Sequence, residues 1–182
     1  MSHNLDRLLT RVTAPASEPV SLAEAKLYLR VDGTSEDALI SDLIVAARMN
    51  AEDFLRRSLI AQSWKLAYND YVDYEVALPM PPVVGIVNVV IKERDGDSQT
   101  FDAGNYYLNA AKNKLIFDTT PTGFLIEITY NTGYGSSSQI PQPIKYGILA
   151  HIAALYDERG LLGQAMPAQV SALYAPFREV AI

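Results

Sequence analysis

The sequence predicts an α+β fold in which helices from both ends of the chain build one helical unit around an inserted antiparallel β region, with an extended C-terminal tail. Three observations predict it: a helical period over 21–58, alternation of apolar residues over 62–131, and a second helical period over 141–160.

Residues 1–17 show no sustained period and read as an N-terminal arm. The first helix is expected over 21–31. Ser21 can accept from the backbone of the first turn while Glu24, three residues on, reaches back to the Ser21 N–H, the pattern of a capping box. Leu22, Ala25 and Leu29 share one face, and Asp32-Gly33 reads as the stop, because glycine tolerates the left-handed backbone of a helix exit. The second helix is expected over 35–58, opening at Thr34 or Ser35 with Glu36 and Asp37 where the helix dipole favours negative charge. Ile40, Leu43, Ala47, Ala51 and Phe54 or Leu55 recur every three to four residues, which leaves Asp42, Arg48, Asn50, Asp53 and Arg57 largely for other faces.

After Gln62 the period becomes two. Trp64, Leu66 and Tyr68 share a strand face, as do Val87, Val89 and Ile91 before an Asp95-Gly96 turn, and Phe124, Ile126, Ile128 and Tyr130 opposite Glu127 and Thr129. Short strands at Tyr106–Leu108 and Lys114–Phe117 flank Asn109–Asn113. The gaps are too short for helical crossovers, so a hairpin-connected antiparallel sheet is expected over 62–131. Pro79-Met80-Pro81-Pro82 fits neither a sheet interior nor a helix and reads as a stiff surface connection. The third helix, over 141–160, has prolines at its start, a stripe of Ile144, Ile148, Ile152 and Leu155, and Gly160 at its end. Packed on the second helix, it closes a single domain over 18–160. The tail, 161–182, is apolar but broken by Gly163, Pro167 and Pro176. Fixing each backbone residue costs roughly 1–2 kcal/mol against roughly 1.5–3 kcal/mol for each apolar side chain buried. Such a tail is not expected to order by itself.

Eight pieces of the chain, in order, carry a resemblance: Pro19–Lys26, Leu29–Asp32, Glu36–Ile40, Arg57–Trp64, Leu78–Val83, Tyr130–Tyr134, Ile140–Lys145 and Ala175–Arg178. Together they resemble the phage head-tail connector proteins, also called adaptor or head-completion proteins, of tailed bacteriophages, prophages and gene transfer agents. The resemblance implies a homo-oligomeric ring of about twelve subunits, each using one heterologous interface. It implies a place in the virion neck, after assembly in the host cytoplasm, between the portal protein and a neck or tail-completion protein. DNA would pass through the channel without specific binding. On this reading Leu173, Tyr174, Phe177 and Arg178 dock on the portal, and Met80, Pro81, Pro82 and Tyr134 meet neighbouring subunits.

Composition sets independent limits. A chain of 182 residues suffices for one good-sized core or two small ones. No stretch approaches the roughly 18 uninterrupted apolar residues of a membrane span, so no membrane partner is expected. Without cysteine there is no disulfide framework and no thiolate metal site. A net charge of −6 argues against a surface built to neutralise phosphates.

Catalytic constellations lack parts, and neither enzyme activity nor a cofactor is expected. His3 and His151 are the only imidazoles, and no acidic pair frames either in sequence. There is no G-x-S-x-G elbow and no H-E-x-x-H pair. Glu36-Asp37, Glu52-Asp53 and Asp157-Glu158 read as solvated helix faces rather than acid–base pairs. Thr132–Ser138 follows a strand as a phosphate loop would, but lacks the Gly-Lys-Ser/Thr end and reads as a flexible loop. Asp95-Gly96-Asp97 has too few oxygen ligands for a calcium loop. The eleven tyrosines are not interleaved with a basic groove, so they suit sheet faces or subunit contacts better than nucleic-acid stacking. The alternative reading is a small soluble enzyme or ligand-binding module whose site assembles from acidic and tyrosine side chains.

Overall fold

The computed structural model describes residues 7–157 and 166–179. The expectations for His3, for the third helix beyond Asp157 and for 161–165 and 180–182 lie outside the described residues. In chain order the elements are β1 (Arg7–Thr13), α1 (Leu22–Leu29), α2 (Asp37–Leu55), β2 (Gln62–Tyr71), β3 (Glu75–Ala77), β4 (Val83–Lys92), β5 (Ser98–Thr100), β6 (Tyr106–Leu108), β7 (Lys114–Phe117), β8 (Thr122–Thr132), α3 (Gln142–Asp157) and α4 (Ala168–Tyr174). Where the sequence suggests one domain over 18–160, the chain forms two compact units: β1 joins residues 61–133, and residues 16–60 join α3 and α4.

In the helical unit the capping box of α1 forms as expected. Glu24 N–H donates to Ser21 Oγ at 3.2 Å, and Ser21 N–H donates to the Glu24 carboxylate at 2.7 Å. The stop is Arg30, at φ 58°, and not Asp32-Gly33. Arg30 and Val31 return their N–H groups to the carbonyls of Leu27 and Lys26, so the last turn is satisfied before the glycine is reached. α2 begins at Asp37 rather than 35, because Asp37 N–H donates back to Thr34 O and makes 34–37 a turn. It ends before 58, where Arg56 turns left-handed and Arg57 N–H donates to Glu52 O. Ile40, Ile44, Ala47, Ala51 and Leu55 of α2 pack in one core with Ile144, Ile148 and Ile152 of α3.

Two residues of α2 depart from the sequence reading. Arg48 and Glu52, expected on solvated faces, are 5 % and 3 % exposed. Each is buried because the other is there: Arg48 Nη1 donates to Glu52 at 3.0 Å and Arg48 Nε to Glu18 at 2.7 Å, while Glu52 also accepts the Leu59 N–H at 2.9 Å. Burial opposes the charge on Arg48, but the carboxylates of Glu18 and Glu52 outweigh it and raise its pKa.

The β unit holds two antiparallel sheets, one ordered β1-β2-β8-β4-β5 and one ordered β3-β7-β6. The expected arm thus contributes an edge strand, with Arg7 opposite Tyr68 and Thr13 opposite Ser63. Pairing satisfies backbone groups that the outer side of β2 would otherwise leave open. Among the described residues, only β4–β5 and β6–β7 are hairpins. β8 takes the centre of the large sheet, between β2 and β4, where Ile126, Ile128 and Tyr130 are fully buried. Val87, expected beside Val89 and Ile91, is 53 % exposed. Ile86 faces Tyr130 and Asn88 faces Thr129, so Val87 is the extra residue of a bulge and the alternation changes face there.

Candidate functional site

Pro167 precedes α4, as its fixed φ allows, and Val170 and Tyr174 then share a face. Among the expected portal-docking residues, Tyr174 is 0 % exposed and Val170 beside it 1 %, both inside the helical core. The Tyr174 ring lies against Gly147, where an added Cβ would stand 2.4 Å from a ring carbon, and its centroid is 6.0 Å from that of Phe54. Leu173 and Phe177 are half-buried and Arg178 is exposed, with its guanidinium 5.2 Å from the Phe54 ring centroid. Arg57 ties the segment down, donating to Phe177 O at 2.6 Å and pairing with Glu179 at 2.7 Å. Residues 166–179 are therefore ordered within the subunit, against the expectation that they stay unfolded alone. The reason is the notch at Gly147, which the isolated tail sequence does not display.

The residues expected at subunit contacts are also largely packed. Pro81 is buried, and Met80 and Pro82 are half-buried. Pro79 O accepts from the Tyr130 hydroxyl at 3.1 Å and Pro82 O from Gly133 N–H at 2.9 Å, so the connection is laced to its own unit. Burial holds the Tyr130 hydroxyl protonated, its pKa raised. Tyr134 is half-buried on the helical core and donates its N–H to Leu59 O at 3.2 Å. The loop after it is ordered: Ser136 N–H donates to Gln139 Oε1 at 3.0 Å, capping a single 3-10 turn. A turn that short offers no anion site.

His151 is 3 % exposed in the middle of α3, its Nδ1 has no hydrogen-bond partner among the described residues, and burial lowers its pKa. No cluster of three or more metal-ligating side chains exists among the described residues. What the helical unit presents instead is exposed apolar surface. Leu27 is 82 % exposed, and next to it Tyr28 meets Tyr146 edge to face, with ring centroids 5.9 Å apart. On α2, Val45 and Met49 are 38 % and 46 % exposed. The sequence signal for these was available: both pairs fall off the periods that define the buried faces.

Residues 19–97, which run from the capping box through α2 and into β4 and its following turn, match the family model of the phage gp6-like head-tail connector proteins. Over that stretch the chain is similar to those connectors. It is also similar along nearly its whole length to a chain of the neck of an empty gene transfer agent particle computed with C6 symmetry: 26 % identity, a TM-score of 0.77, and coverage of 96 % of this chain and 97 % of that one. Two further likenesses, at 24 % identity, show the same fold with the same coverages: a chain of a native gene transfer agent virion, TM-score 0.80, and one of a native neck computed with C12 symmetry, TM-score 0.75. No curated protein matches. The connector family match ends at residue 97, while the structural likenesses extend over the later β strands and the C-terminal helices as well.

Proposed function

We propose that this chain is a structural connector of a phage or gene transfer agent neck, forming a homo-oligomeric ring that joins the portal to the neck or tail and extends the DNA channel. The observation that carries this reading is the likeness to the neck chain, which spans 96 % of one chain and 97 % of the other and so includes both units. Function is then the making of interfaces and not catalysis. A charge of −6 suits a conduit through which DNA slides without adhering. With Tyr174 committed to the core, portal docking falls to Arg178 and to the open edges of Leu173 and Phe177, with Met80, Pro82 and Tyr134 left as the partly open contacts toward neighbours. Removal of the gene from a particle-producing genome should leave heads without attached tails in electron micrographs, and restored particles should show several copies of the chain in the neck. Normal tailed particles without it, or a single copy per neck, would refute the proposal.

A further inference from the structure

A closed ring needs two different patches on every subunit, each complementary to the other. The helical unit carries such a pair. One face is Leu27, Tyr28 and Tyr146 with Arg30 exposed at the end of α1; tyrosine and arginine are enriched at interface hot spots, and the exposed leucine adds apolar area beside them. The other is a stripe along the outer side of α2, Asp42, Val45, Met49 and Asp53, spaced three, four and four residues apart and opposite the buried Ile40, Ile44, Ala47 and Ala51. Arg30, Asp42 and Asp53 have no ion pair among the described residues, whereas the nearby Lys26 and Lys145 are committed to Asp37 and Glu24. The first face thus offers an uncommitted cation and the second two uncommitted carboxylates, each set around an apolar centre.

Resting on the connector reading, we infer that the ring closes by seating the Leu27–Tyr28–Arg30–Tyr146 face of one copy on the Asp42–Val45–Met49–Asp53 stripe of the next. Opposite charges at the rim fix register, and the apolar centre supplies the contact area. A second copy of the chain is the occupant because both halves of the match are present on the same unit.

The absence of cysteine makes the test direct. Leu27→Cys and Met49→Cys lie on exposed positions and introduce the only thiols. In particles assembled from a mixture of the two single variants and treated with oxidised glutathione, the expected product is a dimer linked between positions 27 and 49, with little 27–27 or 49–49 product. Particles carrying the double variant should give a ladder. Arg30→Asp should abolish the cross-link, and combining it with Asp53→Arg should restore it. Copy number by quantitative mass spectrometry separates the failures. Several copies per neck without a 27–49 link, or with a link indifferent to the charge exchange, overturn this interface and leave the connector reading standing; one copy per neck overturns both.

Discussion

Arg48 and Glu52 lie one turn apart on α2, and with Glu18 they form a buried charge network inside an otherwise apolar helical core. Removing the cation alone is costly because the carboxylate stays buried. Arg48→Met should lower the unfolding free energy by roughly 3–5 kcal/mol, and adding Glu52→Gln should recover part of that loss; urea melts of the two variants read it, and equal melts would remove the network from the account. His151 makes a pH prediction. Its folded pKa is below the ordinary 6.5 because burial disfavours the cation, so as pH falls through 6.5 the unfolded chain takes up a proton that the folded one refuses. Its contribution is intact above 6.5 and is lost as pH falls toward the lowered value. Melting temperatures recorded between pH 7 and about 5 should therefore fall less steeply for His151→Gln than for the wild type; parallel profiles would count against the buried neutral imidazole. The sequence showed no acidic pair framing His151, which is buried within α3. It misplaced Arg48 and Glu52 because a period of 3.6 assigns charges to the outside and cannot register that three of them come from separate turns and a loop to neutralise one another.

At the scale of the element, α4 is the clearest case. Tyr174 fills the space that a side chain at Gly147 would occupy, and Arg57 anchors the residues after it. Tyr174→Ala should destabilise the subunit by roughly 3–5 kcal/mol, and Gly147→Ala by roughly 1–3 kcal/mol through overpacking, both seen in thermal or denaturant unfolding of the free chain. An unchanged melting temperature for Tyr174→Ala would return α4 to the role of a loose tail. The capping box of α1 and the stripes of α2 and α3 were legible, since each is a local pattern within one helix. The order of α4 was not, because a seven-residue helix has too few contacts of its own and its stability resides in a groove built by residues far away in sequence. For the same reason β1 read as an arm: its residues gain a strand only where β2 offers an open edge.

For the whole molecule the chain leaves the helical unit after Ile60 and re-enters it at Tyr134, and the hydrogen bond from Tyr134 N–H to Leu59 O, 3.2 Å, brings exit and entry side by side. Replacing residues 62–132 by a short glycine-serine linker should therefore leave a helical unit that unfolds cooperatively, measured by circular dichroism; an unfolded product would show that the helices depend on the strands. The sequence by itself determined the α+β class, the helix–strand–helix order, the third helix as partner of the second, and the absence of thiol chemistry. Those properties follow from periodicity and composition, which are local. Only the tertiary structure decided that β8 lies at the centre of its sheet, that Val87 is bulged outward, that Arg48 is internal and that Tyr174 is core. Each of these depends on which distant segment supplies the pairing edge, the counter-charge or the empty volume, and no local period encodes that choice.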